Sequence, residues 1–238
     1  MMRLRLSTGP AALFGAMMLA ALLFFLPLRL VLGWAGVGEA GLTARRVGGI
    51  VWDGRLYDAR FGDLMLGDVD AGLSPLDLLI GRARITLAGR GTQPLAGSLL
   101  VSRHVSGIDH MTASLPTGRV FAPVPVTRLD LDDVSIRFVD GRCENAEGRV
   151  RATLIGDAAG IALPGSVSGT ARCEGGALLL PLASQPGTES VMLRITGEGR
   201  YTAALTLAQP DPLAAQRLAA AGFVQGPQGY RLSIEGSF

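Results

Sequence analysis

Residues Ala11 to Leu28 read AALFGAMMLAALLFFLPL, an apolar run without a single charge. At about 1.5 Å per residue, a helix of that length nearly spans a bilayer core of roughly 30 Å. Arg3 and Arg5 precede the run and no acidic residue does. Positively charged flanks stay on the cytoplasmic side. The chain therefore divides into a cytoplasmic N-terminus (1–10), a transmembrane anchor (11–32) and a β-rich domain across the membrane (33–238), periplasmic or extracellular. A cleaved signal peptide has a shorter apolar core, about 7–15 residues, and a small-x-small cleavage site. Here Arg29, Leu30, Val31, Leu32, Gly33 and Trp34 follow instead, so the run reads as a retained anchor.

The remaining ~200 residues suit one large domain or two small ones. The formal net charge is only +2 and the basic residues are all arginine, with no cluster larger than Arg45-Arg46. Without a basic stripe or interleaved aromatics the chain lacks the footprint of a nucleic-acid groove. Its two cysteines, Cys143 and Cys173, share an Arg-Cys-Glu setting. Across the membrane an oxidising compartment permits a disulfide between them. Two cysteines with no nearby histidine make too few ligands for a metal site.

Beyond the run the hydrophobic period becomes two. Ile50-Val51-Trp52 opens the β-rich region. Arg84 to Ala88 and Thr127 to Asp132 alternate polar with apolar, and Val134, Ile136 and Phe138 share one face. Segments 150–155, 178–182, 191–195, 201–207 and 230–235 continue the pattern. Such alternation marks half-buried strands, and the 33 glycines punctuate it at hairpin spacing. Two short helices interrupt the strands. One is Pro75 to Leu79 after Ser74, an N-cap with proline at N1. The other is Asp211 to Ala221, capped by Asp211 and ended by Gly222, with Leu213 and Leu218 facing the sheet. The expected fold is mainly β: a transmembrane helix, then a curved or two-layer antiparallel sheet with a short C-terminal helix. So many apolar strand faces need a curved or layered sheet to hide them.

No catalytic motif occurs: no Gly-x-Ser-x-Gly, no phosphate-binding loop, no His-Glu-x-x-His, no Cys-x-x-Cys. A triad would have to draw on His104 or His110 with Ser102, Ser106 or Asp109. The polar segment SRHVSGIDH reads instead as a strand end or turn. Asp130, Asp132 and Asp133 lack the glycine and terminal glutamate of a calcium loop, and read as a solvated strand face. No residue is assigned a catalytic, cofactor-binding or metal-ligating role.

Two segments carry a family resemblance by their order and spacing. Gly48-Gly49-Ile50-Val51-Trp52-Asp53-Gly54-Arg55 follows the apolar run, and Leu73-Ser74-Pro75-Leu76-Asp77-Leu78-Leu79-Ile80-Gly81-Arg82 follows that. With Arg200-Tyr201, Gly222-Phe223 and Gly229 to Leu232 near the end, the chain resembles the type II secretion system protein N family of Gram-negative bacteria. The motif positions are Gly49, Trp52, Gly54, Pro75, Leu78, Leu79, Gly81 and Arg82, for which structural roles are expected: Trp52 as a core anchor with a bonded indole N–H, Gly54 and Gly81 at turns or bulges. The resemblance implies a non-enzymatic accessory component, single-pass in the inner membrane with its bulk in the periplasm. It would help export folded periplasmic proteins by binding the inner-membrane platform or the secretin, with no cofactor. The alternative is an AsmA-like periplasmic protein whose sheet holds lipid, serving outer-membrane biogenesis. A hydrolase ranks below both.

Overall fold

A computed structural model describes residues 8–34, 42–62, 64–118, 121–158, 160–163, 165–208 and 212–237. Arg3, Arg5 and Asp211 lie outside the described residues. The first half comprises α1 (Thr8–Phe24), α2 (Leu28–Trp34), β1 (Leu42–Thr43), β2 (Arg46–Ile50), β3 (Asp53–Phe61), β4 (Leu64–Leu73), α3 (Pro75–Leu79), β5 (Ala83–Gly89), β6 (Leu95–Val101) and β7 (Val105–Pro116). Next come β8 (Val126–Val139), β9 (Arg142–Leu154), β10 (Asp157–Ala158), β11 (Ile161–Ala162), β12 (Ser166–Thr170) and β13 (Arg172–Glu174). The chain finishes with β14 (Ala177–Ala183), β15 (Glu189–Ile195), β16 (Arg200–Leu207), α4 (Pro212–Ala220), β17 (Val224–Gly226) and β18 (Gly229–Ser237).

Where one apolar run was expected to give a single helix over 11–32, there are two. α1 stops at Phe24 and α2 begins at Leu28. Pro27 stands between them; it has no N–H to give a helix and its ring clashes with the preceding turn. Among the described residues no helix is both long and apolar enough to cross a membrane. The described side chains of α1 are nonetheless exposed throughout.

Sixteen strands form one sheet, antiparallel at every pairing and wound mostly as a meander. Register assigns the faces, because residues directly opposite in an antiparallel ladder share a side. Leu56 opposes Val69, Leu73 opposes Ile85, Ile85 opposes Leu99, Leu99 opposes Ile108 and Ile108 opposes Ile136. Leu129 opposes Ala152, Ala152 opposes Val167, and Leu180, Leu193, Ala203 and Ile234 continue the row. One apolar face thus runs the width of the sheet. The other carries Arg55, Asp70, Arg84, Asp109, Asp130 and Arg151.

From β8 to β16 that inner face is buried by curvature, while over β5 and β6 it is half-buried. A cavity of about 10 Å³ is lined by Val126 and Leu129 of β8, Leu182 of β14, Val191 of β15 and Ala203 of β16. In sheet order β8 and β16 are five steps apart, roughly 24 Å if flat at about 4.8 Å per strand. The sheet therefore folds over on itself. Val134, Val150, Leu205 and Leu218 are completely buried in this larger core, with Phe121 and Val124 of the β7–β8 connection. A smaller core joins Leu28 of α2 to Leu56, Ala59, Val69 and Ala71.

Helix α4 closes the larger core with Ala214 and Leu218, four residues apart on one face. Leu213, expected to face the sheet, is 72% exposed because it sits one position round from Ala214. Ile50-Val51-Trp52, read as a strand opening, is where β2 ends and turns: Val51 and Trp52 form the β2–β3 turn.

Cys143 of β9 and Cys173 of β13 form a disulfide, with Cα atoms 5.4 Å apart. The bridge ties the start of β9 to a strand that otherwise pairs only with β14. Its closed loop of 30 residues confers about 3–4 kcal/mol in the chain-entropy account. Replacing both cysteines with alanine should lower the urea midpoint accordingly. An unchanged midpoint would show that the bridge adds no stability.

Candidate functional site

Among the described residues the family motifs bring together backbone and packing contacts, where the apolar helix meets the sheet. A helix leaves its last carbonyls without intrahelical partners. At the end of α1 the indole Nε1–H of Trp52 donates to the Phe24 carbonyl at 2.9 Å. Two residues on, the Val51 N–H donates to the Leu26 carbonyl at 3.1 Å. Pro27 makes an antiparallel bridge with Ile50. Leu28, the first residue of α2, is buried against the sheet. Trp52 itself is half-buried. It works as a clasp on the helix end through its N–H, not as the core anchor that its size implied.

The glycines around Trp52 follow from this seating. Gly49 and Gly54 are partners across the β2–β3 hairpin. A Cβ on Gly54 would overlap the Leu28 side chain, so the absent side chain makes the socket for α2. Gly49 has φ of +82°, and a Cβ there would collide with the Asp53 carbonyl. Ala71, opposite Gly54, is buried beside them.

The second motif builds the β4–β5 connection against the same turn. The Leu73 N–H donates to the Val51 carbonyl at 3.0 Å. Ser74 is the N-cap of α3, its Oγ accepting from the Asp77 N–H at 3.4 Å, and Pro75 fills the first turn. Gly81 takes φ of +74°. The Arg82 N–H then reaches the Asp77 carbonyl at 2.9 Å, and the Gly81 N–H the Leu78 carbonyl at 3.0 Å. These two bonds form a Schellman closure, which requires a left-handed residue at that point. Leu76, Leu78, Ile80 and Arg82 project outward as exposed side chains. The Leu79 side chain lies outside the described residues.

The polar candidates are scattered. His104 Nδ1 lies 2.7 Å from Asp140, and the Ser102 hydroxyl is engaged with the Val105 backbone. Ser106 lies opposite Val101 and Phe138, on the inner face. Asp109 pairs with Arg84. Of the three aspartates, Asp130 accepts from the Ser114 hydroxyl at 2.6 Å, Asp132 sits 3.7 Å from Arg149, and Asp133 holds His110 at 2.7 Å. No serine, histidine and carboxylate line up as a triad among these residues. No group of three or more His, Cys, Asp or Glu residues is placed to hold a metal among the described residues.

The His110–Asp133 pair is a product of local backbone. Register shifts interrupt β7 between Ile108 and Met111, and β8 against β9 between Asp132 and Ser135. His110 and Asp133 both adopt left-handed φ, at +48° and +52°, and the bulges aim them at each other. They border an open polar depression of about 330 Å³ with Ser135, Glu147, Arg149 and Thr170. The hydrogen bond to Asp133 raises the His110 pKa above the ordinary value of 6.5, and the charges of Asp133 and Asp109 add to the effect. A raised folded-state value means that the pair stabilises the fold below the unfolded pKa. That contribution is lost as pH rises through the folded value.

Two measurements check these assignments. Gly54→Val should unseat Leu28 and destabilise the protein by about 1–3 kcal/mol, while Trp52→Phe, which removes the N–H together with part of the ring, should cost at least the hydrogen bond's about 0.5–1.5 kcal/mol. A neutral Gly54→Val in thermal unfolding would remove the socket. For the pair, the His110 ring resonance in an NMR titration should have its midpoint above that of free histidine and fall back towards it in Asp133→Asn.

The family described as "Type II secretion system (T2SS), protein N" matches residues 40–233, a span holding the β2–β3 turn, the α3 connection and almost the whole sheet. A curated relative, the type II secretion system protein N of Vibrio cholerae serotype O1, is 28% identical over 153 residues. The aligned part covers 60% of this chain and 60% of that relative's own length. No solved structure matches the chain. The matched span and the motif residues within it show that the chain belongs to the type II secretion system protein N family.

Proposed function

We propose that this protein is a non-enzymatic accessory component of the type II secretion pathway, held in the inner membrane by its N-terminal apolar helix with the sheet in the periplasm. The observation that carries the reading is the junction: an apolar helix, exposed along its described length, is clasped to the sheet by a segment inside the family match. Such a helix needs an apolar surrounding, and lipid supplies it. Its 17 residues rise about 25 Å, short of a hydrocarbon core of roughly 30 Å, a mismatch that local thinning of the bilayer accommodates. The disulfide suits an oxidising periplasm. In this reading the protein acts by binding the inner-membrane platform or the secretin.

A lipid-carrying sheet draws less support. From β8 to β16 the inner face is taken up by its own core, whose cavity of about 10 Å³ is far smaller than the ~300–1,000 Å³ usual for ligand pockets; over β5 and β6 that face is only half-buried.

Deleting the gene should lower export of a substrate of the pathway, with the outer-membrane barrier intact. The full chain should restore export, and a chain lacking residues 8–24 should not. Normal export with a leaky outer membrane would overturn the proposal in favour of a lipid role.

A further inference from the structure

We infer that the α3 connection is a second membrane contact, an interfacial foot that rests on anionic phospholipid beside the point where α1 leaves the bilayer. The inference depends on the placement of α1 proposed above. It concerns a different surface, formed wholly by the folded domain.

The meander brings alternate turns to one end of the sheet. The Val51–Trp52 turn, which clasps the end of α1, is bonded to Leu73 at the start of the α3 connection. At the far side of that connection, Ala83 pairs with Val101, the last residue of β6. Val105 pairs in turn with Val139, and the Asp140 N–H donates to the His104 carbonyl at 2.8 Å. The rim therefore runs from the helix end through α3 to the β6–β7 turn.

This rim is apolar where a soluble rim would be polar. Leu76 is 75% exposed, Ile80 66% and Val101 50%, with Leu78 exposed between them. α3 cannot turn these side chains inward. Its N-cap and Schellman closure fix a helix of five residues, and among its described side chains Asp77 is the half-buried one. Exposed Arg82 and Arg103 flank the apolar tips, and exposed Arg29 lies on α2. Of the nearby acids, Asp140 is paired with His104, Asp77 is half-buried on α3 itself, and Asp53 stands exposed at the start of β3. Apolar tips ringed by arginine match the acyl boundary and the anionic headgroups of a bilayer. Trp52 adds an aromatic ring at the level where interfacial tryptophans gather. The surface is continuous with the helix end through the Trp52–Phe24 hydrogen bond.

The test places an environment-sensitive fluorophore on single introduced cysteines, which is selective because both native cysteines are in the disulfide. Full-length Leu76→Cys, Ile80→Cys, Leu19→Cys and Ile155→Cys are reconstituted in phosphatidylethanolamine–phosphatidylglycerol vesicles. A fraction of the lipid carries a nitroxide near the headgroup or deep in the chain. Ile155 is as exposed as Ile80, at 65%, but follows β9 at the opposite end of the sheet. Labels at 76 and 80 should shift to the blue and lose most of their emission to the shallow nitroxide. Leu19 should respond to the deep one, and Ile155 to neither. Quenching at 19 with none at 76 and 80 overturns the foot, leaves α1 in the bilayer and assigns the rim to a protein partner. No quenching at 19 overturns the membrane placement and the foot with it. Equal quenching at 155 also overturns the foot, since the domain would then adsorb without orientation. Arg82→Gln with Arg103→Gln should weaken the response at 76 and 80 but not at 19, and no change would remove the arginines from the contact.

Discussion

The constraint on which the rest of this structure depends is that one apolar face runs across a sheet of sixteen strands. An open sheet that wide does not stay flat; beyond about ten strands it curls or splits. Here curling brings β8 and β16 to the walls of one small cavity. Positions that bend the sheet therefore matter as much as those that fill it. The bulges opposite His110 and Asp133 are such positions, and their polar side chains meet as a by-product of the bend. The exposed ion pairs on the outer face, such as Arg149 with Asp132, follow the pleat and add little energy.

Curling alone does not cover both ends of the inner face. In the second half, α4 and the β7–β8 connection supply Leu218, Phe121 and Val124. In the first half the cover comes from α2, whose Leu28 enters the space left by Gly54. The apolar helix and the sheet are thus joined through the packing of a core, and not by a loose tether. Three backbone-directed contacts over Phe24, Leu26 and Pro27 complete the joint. A polar linker would have left the domain free to swivel. This joint gives the sheet a defined pose relative to the helix end.

Much of this was legible in the sequence because it rests on period and punctuation. Alternation in Thr127 to Asp132 and in Val134 to Phe138 placed β8 and its inner face, and Ser74-Pro75 with Gly81 marked both ends of α3. The cysteines pair because β9 and β13 lie side by side, which compartment and context favoured but spacing does not dictate. The break at Pro27 was harder to see, since hydropathy counts apolar residues and ignores a missing N–H. For Trp52 the bonded indole N–H was legible, but the depth of the ring was not. Its bulk argues for burial, whereas its place in a turn makes the indole N–H the working part. Leu213 was placed on the face of Leu218 by helical spacing, where one step of phase decided exposure.

The order of the motifs along the chain now has a physical reason. The family match begins at residue 40, after both helices, yet Trp52 and Gly54 inside it are satisfied by Phe24 and Leu28 outside it. A glycine whose missing side chain is filled by a leucine from a preceding helix is a socket, and a sheet carrying that socket is built to receive such a helix. The second motif leans on the same turn through the Leu73–Val51 hydrogen bond. Both motifs therefore answer one requirement, the fixing of one end of a curved sheet against a helix. Neither brings titratable groups together. Their separation by some twenty residues is the length of the β3–β4 excursion to the far end of the sheet and back.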